Sequence, residues 1–256
     1  MSIQSTLRRA GVLAALAALA LLAGCATVPN PDPHDPWESY NRGMTNFNVA
    51  VDGVAFKPAA TAYKQALPDP VREGVGNFFG NLGDVWSFVN NVLQAKPEAS
   101  LSSFWRVVVN TTMGLGGVLD PATEMRLVRY REDFGQTLGY WGVPAGPYLV
   151  LPILGPSSLR DTVALPVDFL GHPLARIHDV PARNWLRATQ FVDTRARLLD
   201  VGDIMSAAAL DPYTFSRDAY LQKRHNDVYD GNPPQQQERY DLDDNGQPAA
   251  PAPASQ

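Results

Sequence analysis

Between Asp133 and Arg160 the chain runs through residues 134–159 without a charged side chain, and that stretch carries five glycines (Gly135, Gly139, Gly142, Gly146, Gly155) and four prolines (Pro144, Pro147, Pro152, Pro156). So many Gly and Pro residues prevent a continuous helix. Yet Tyr140, Trp141 and the run Tyr148-Leu149-Val150-Leu151 make it too apolar for an ordinary solvated loop. Irregular backbone survives in apolar surroundings only where protein covers it or where it lines a polar cavity, and Tyr and Trp favour the membrane–water boundary. The pattern therefore predicts a re-entrant hairpin over residues 139–152 that lines a passage. Its candidate lining is Gly139, Tyr140, Trp141, Gly142, Gly146, Tyr148, Leu149, Val150 and Leu151. The plain alternative is an apolar loop laid over the core.

The rest of the body reads as helical. Asp-Pro recurs at residues 35, 69, 120 and 211, and Asp as N-cap with Pro at the first helical position is a helix-start signal. Strand signals are thin, with residues 107–109 the one β-branched run. In the helix predicted over residues 70–94, Val75, Phe79, Leu82, Trp86, Val89 and Leu93 recur at helical spacing, while the opposite side carries Gly76, Gly80 and Gly83 with Asn77, Asn81, Asn90 and Asn91. Between Glu73 and Lys96 only Asp84 is charged. A second face of small residues and amides fits packing on another helix or contact with lipid head groups; a central buried helix fits it equally. Asn77, Asn81 and Asn110 are candidates either for head-group contact or for bonds between helices. The interrupting Gly and Asn residues exclude a spanning helix here.

At the N-terminus, Arg8 and Arg9 precede an apolar run of about 14 residues, shorter than the ~20 of a spanning helix, which ends in Leu22-Ala23-Gly24-Cys25. The pattern resembles a bacterial lipobox, which implies cleavage after Gly24 and acylation of Cys25, the chain's only Cys. Two or more acyl chains make a membrane anchor stable, and Ala26, rather than Asp, favours the outer membrane by that resemblance. The expected organisation is a cleaved signal peptide (1–24), a lipidated Cys with a Pro-rich tether (25–34), one helical domain (35–230) and a disordered acidic tail (231–256). The whole chain carries a net charge of -5. Nucleic-acid binding is not expected of so acidic a chain, and a lone Cys excludes a disulfide framework or thiolate cluster within it.

Catalytic motifs are weak. No Gly-x-Ser-x-Gly elbow occurs, Gly114-Leu115-Gly116-Gly117 fails the dinucleotide pattern at Leu119, and His172 and His178 lack the spacing of a helical metal pair. The expectation is a protein without enzymatic activity, cofactor or metal.

These residues together resemble the MlaA (VacJ) family of outer-membrane lipoproteins. The likeness rests on residues 35–42 (Asp-Pro-Trp-Glu-Ser-Tyr-Asn-Arg), Asn46-Phe47-Asn48, residues 77–82, and Val109-Asn110-Thr111-Thr112 with Gly114, Gly116, Gly117 and Asp120. It is densest over residues 132–143 and continues through 146–152, Gly155-Pro156-Ser157, Arg160-Asp161, residues 195–200, Asp211-Pro212-Tyr213, Arg217 and Tyr220-Leu221-Gln222. The resemblance implies an all-α, ring-like domain in the inner leaflet of the outer membrane, with a central amphipathic channel bordered by the hairpin. It implies passage of outer-leaflet phospholipids to a periplasmic lipid-carrier protein, which maintains lipid asymmetry, with trimeric porins as membrane partners. A lipoprotein that docks porins without moving lipid is the alternative. Pro144-Ala145 departs from the family pattern and is expected to stiffen the hairpin tip, and Phe47 is expected in the core.

Overall fold

The computed structural model describes residues 32–202 and 209–234. Cys25, the signal segment 1–24, tether residues 25–31 and tail residues 235–256 lie outside them. In order come α1 (Glu38–Val51), a π-helical turn (Asp52–Phe56), α2 (Lys57–Ala66), α3 (Asp69–Leu93), α4 (Pro97–Thr112), α5 (Pro121–Glu124) and α6 (Phe134–Tyr140). A two-stranded antiparallel hairpin follows, β1 (Tyr148–Leu151) with β2 (Gly155–Ser158), then α7 (Leu159–Gly171), a 3-10 turn (Pro173–Arg176), α8 (Val180–Arg197) and α9 (Pro212–Val228). The fold is mostly helical, and the β-branched run at 107–109 is part of α4.

Local chemistry sets most boundaries. Asp120, Asp133, Ser158, Asp179 and Asp211 each accept a backbone N–H at the start of α5, α6, α7, α8 and α9. Of the Asp-Pro pairs at 35, 69, 120 and 211, two depart from the expected capping role. Asp35 lies ahead of α1 and is fully buried, spending its carboxylate on Asn41, Tyr213 and Arg217. Asp69 lies within the first turn of α3 and pairs with Arg72 instead of capping. The π turn joins α1 and α2 into one rod, every junction residue being right-handed helical. Pro58 explains its place: in a regular helix the ring clashes with the carbonyl four residues back, and the wider turn just before it relieves that clash.

The distribution of polarity is inverted. Among the described residues, twenty buried side chains are polar or charged and eleven are apolar, five of those eleven being Ala. In α3 the buried residues are Gly74, Asn81, Asp84, Ser87, Asn90 and Asn91 with a single ring, Phe79, whereas Val71, Val92 and Leu93 are exposed and Val75, Leu82, Trp86 and Val89 are half-buried. In α4, Ser103, Arg106 and Asn110 point inward while Leu101, Phe104 and Trp105 point out. Phe47, expected in the core, is exposed, because α1 turns its asparagines rather than its ring toward the hairpin. A helix that exposes its apolar face is matched to an apolar solvent. No described helix is long and apolar enough to cross a membrane.

Polar groups hold this interior. Arg106, 1% exposed, bonds Asp84, Asp120, Thr123 Oγ1 and the Leu127 carbonyl, and Arg129 shares Asp84. Arg224 on α9 bridges Asp133 and Asp161. Burial raises the Asp161 pKa, but the Arg224 guanidinium and the Tyr220 hydroxyl override it and hold the carboxyl at about 2.

Packing closes into a circuit. The α1–α2 rod meets α8 through α2, α8 meets α3, α3 meets α6, α6 meets α9, α9 meets β2, and β1 returns to α1. That closed succession is the ring of the expected all-α architecture.

Candidate functional site

The hairpin sits where the circuit closes. Its register pairs Tyr148 with Ser158 and Leu151 with Gly155, placing the tip at Pro152-Ile153-Leu154. This corrects the expected boundaries of 139–152: the tip lies further along, and Pro144 stands in the irregular stretch leading into β1, away from the tip it was expected to stiffen. The physical reason is local. Gly155 adopts φ +79°, the left-handed backbone a glycine takes without strain.

Two asparagines of α1 take the place of a third strand. Asn41 donates to the Tyr148 carbonyl (3.1 Å) and accepts from the Val150 amide (2.8 Å). Asn48, two turns along the same face, donates to the Leu151 carbonyl (2.9 Å) and accepts from the Ile153 amide (2.7 Å). Ile153 is β-branched yet sits at φ +66°, a conformation that persists only where its surroundings over-determine it. The Asn48 amide does so.

Beside the tip opens an apolar cleft of about 600 Å³, within the ~300–1,000 Å³ of ligand pockets. Val49, Phe56, Val150, Ile153, Leu154, Pro156, Phe191 and Leu198 form its greasy walls, with Phe56 and Phe191 in edge contact at 4.7 Å. Among the described residues its charged groups are Asp52 and Arg195, joined by two bonds: Arg195 Nε to Asp52 Oδ1 at 2.6 Å and a second guanidinium nitrogen to Oδ2 at 2.7 Å. Thr45, Asn48, Thr194 and Ser216 are the other polar residues of the lining among the described residues. The cleft can hold an acyl chain against its walls and a polar group against the Asp–Arg pair. Nothing in it supplies an activated nucleophile, and no group of three or more potential metal ligands occurs among the described residues.

Of the residues expected to line a passage, Val150 lines this cleft. Tyr148 packs with Val150 and Tyr213 in a small buried cluster; Leu149 and Leu151 are half-buried. Gly139, Tyr140, Trp141 and Gly142 belong to a different corner, at the end of α6. There Trp141 donates its indole N–H to the Leu93 carbonyl (3.0 Å), Lys96 stands over the Tyr140 ring, and Gly139 lies against Arg160 and Val228. Gly146 is near Leu159, ahead of β1. The three asparagines bond between elements: Asn77 to the Val118 carbonyl, Asn81 to Thr111, and Asn110 to Asp120 and the Ala122 amide. Asn81 keeps a buried amide oxygen without a partner, and Gly117 lies against the Cβ, Cγ and Nδ2 of the same side chain.

The comparisons with known proteins bear on this geometry. The family model described as MlaA lipoprotein matches residues 33–227. The chain belongs to the MlaA lipoprotein family. Among MlaA relatives, the "Intermembrane phospholipid transport system lipoprotein MlaA" of Escherichia coli is 36% identical over 217 residues, 82% of this chain and 85% of that protein. The Haemophilus influenzae protein of the same description is 32% identical over 236 residues, 86% and 91% of the two chains. A solved structure concerned with the structural basis for maintenance of bacterial outer membrane lipid asymmetry superposes with a TM-score of 0.66 at 33% identity, covering 77% of this chain and 99% of that one.

Asp52 and Arg195, with Asn41 and Asn48, are the site residues that sequence reasoning missed. Arg195 and Asn41 fell inside motifs that carried the MlaA resemblance, with no role attached, whereas Asn48 belongs to Asn46-Phe47-Asn48, which the resemblance expects to set the first helix against the ring. The seven-residue spacing of Asn41 and Asn48 was the available signal for a polar stripe on α1. Nothing in the sequence links Asp52 to a residue 143 positions away.

Proposed function

We propose that this protein maintains outer-membrane lipid asymmetry by passing outer-leaflet phospholipids through the cleft to a periplasmic carrier, without chemical change. The observation that carries the reading is an apolar cleft holding the Asp52–Arg195 ion pair, set inside a circuit of helices that bury polar groups and expose many apolar ones. Taking a phospholipid out of a bilayer bares about 30 methylenes at ~0.8 kcal/mol each, a barrier near ~25 kcal/mol. Val49, Phe56, Phe191 and Leu198 keep tails covered while the head group meets polar atoms, which lowers that barrier without breaking a bond. In this reading Cys25, lipidated after removal of residues 1–24, holds the 35–230 domain in the inner leaflet through the tether 25–34. The corner at Tyr140 and Trp141 sits at head-group level, trimeric porins are its membrane neighbours, and the tail 231–256 hangs on the periplasmic side. The relatives' shared description as phospholipid transport lipoproteins supports it.

The test places a charge on the cleft wall. Leu154 is 54% exposed at the hairpin tip, so Leu154→Asp leaves the core intact, whereas Val150→Asp would bury a carboxylate. In cells, Leu154→Asp at normal protein level is expected to raise outer-leaflet phospholipid, and in vesicles to slow transfer of labelled phospholipid to a soluble acceptor at least tenfold. Transfer at the unaltered rate would overturn the reading.

A further inference from the structure

The α8 wall of the cleft continues beyond the cleft itself. Phe191 and Thr194 on α8, with Leu198 just past its end, line the cleft. The same helical face, followed toward the N-terminus in steps of four residues, carries Arg187 and then Arg183. Arg195 and Arg197 on this helix are held by Asp52 and Asp193. The side chains of Arg183 and Arg187, by contrast, have no hydrogen bond or ion pair among the described residues, and the Arg183 Nε is buried without an acceptor. Asp179, one turn before Arg183, spends its carboxylate on the Ala182 amide (2.7 Å) as the cap of the helix. Trp185, between the two arginines in sequence, is 74% exposed. An indole so placed belongs at the membrane–water boundary, the level of lipid head groups.

We propose that Arg183 and Arg187 grip the phosphate of a glycerophospholipid whose acyl chain lies along Phe191, Thr194 and Leu198, a holding station at one end of the transport path. This rests on the transport reading above and names the residues that take the phosphate. Two guanidinium groups one helical turn apart share a face and offer planar N–H forks, which meet phosphate oxygens bidentately. A side chain that turns onto the phosphate also gives the Arg183 Nε the acceptor it lacks. The spacing suits a lipid. Leu198 lies eleven residues beyond Arg187, about 16 Å at 1.5 Å per residue, and one leaflet's share of the hydrocarbon core is about 15 Å. A phosphate on Arg187 therefore brings the end of the tail level with Leu198, among the apolar walls of the cleft. These donors recognise the phosphate, which every glycerophospholipid carries, rather than the group beyond it. A diacylglycerol with the same tails gains nothing from them.

The experiment uses the full-length lipoprotein in detergent with two photoreactive phosphatidylethanolamines, one bearing its diazirine in the head group and one at the end of an acyl chain. Mass spectrometry of cross-linked peptides is expected to find the head-group probe on residues 183–187 and the acyl probe on residues 191–198. Arg183→Gln combined with Arg187→Gln is expected to cut retention of phosphatidylethanolamine about tenfold, since charge-assisted contacts are lost, and to leave retention of the matching diacylglycerol unchanged. Arg183→Lys with Arg187→Lys loses less. Excess inorganic phosphate is expected to leave the phospholipid in place; full displacement would mark a site for free phosphate and overturn the lipid assignment. Head-group cross-links outside residues 183–187, or undiminished phosphatidylethanolamine in a folded Gln double variant, would overturn the inference and leave transport standing. If that variant fails to fold, the cross-link positions decide. A wild-type protein that retains and cross-links no lipid at all would overturn the transport reading itself.

Discussion

Glu132 shows how strongly a single side chain feels this inverted interior. It is 7% exposed, accepts from Gln94 Nε2 at 2.9 Å and from Lys96 Nζ at 3.3 Å, and Lys96 also reaches Asp230 at the end of α9. Burial is the largest influence and pushes its carboxyl up to about 7; Gln94 and Lys96 pull it down, and Asp230 adds to the rise. An acid that binds its proton more tightly when folded stabilises the fold below its unfolded pKa and loses that stabilisation as pH climbs through the folded one. For Glu132 the window runs from about 4.5 to about 7. Thermal melts of the wild-type protein are therefore expected to fall between pH 5 and pH 8. Glu132→Gln, uncharged throughout, is expected to flatten that slope and melt higher at pH 8. A parallel slope in both proteins would show that the titrating group lies elsewhere.

At the scale of elements, α3 and α4 are held together by charge where most helix pairs use leucine. Asp84 on α3 receives Arg106 and Arg129, and Arg106 reaches across to Asp120. Asp84→Asn leaves a buried guanidinium with one of its two carboxylate partners. The expected loss is about 3–5 kcal/mol, read as a shift of the denaturant midpoint in detergent, with Asp84→Glu losing less. The extent of α3 was legible in its periodicity: 70–94 expected, Asp69–Leu93 found. Which face turned inward was not, because the rule that apolar faces point to the core assumes water outside. The hairpin was displaced for a related reason. Tyr148-Leu149-Val150-Leu151 is apolar throughout, so the alternation of burial that marks β1 has no counterpart in composition. Nothing read from the sequence placed a widened turn between α1 and α2 or directed Asp52 into a cleft.

For the whole molecule, the circuit from α1 through α8, α3, α6 and α9 back to the hairpin encloses polar atoms and presents apolar ones. Of the five tryptophans, Trp37, Trp105, Trp141 and Trp185 are exposed, whereas Trp86 donates its indole N–H to Asp168. Single-tryptophan proteins in vesicles of brominated phospholipid test this arrangement: Trp105 is expected to be quenched at least twofold more than Trp86. Equal quenching would place the α4 face away from acyl chains. That greasy outer coat has a consequence for the chain's journey. In the proposed outer-membrane setting, it must first pass through an aqueous compartment with leucine, phenylalanine and tryptophan facing outward, where every copy is adhesive toward every other. An escort that shields the coat, or delivery quick enough to keep the naked population vanishingly small, is thus a requirement of the fold itself.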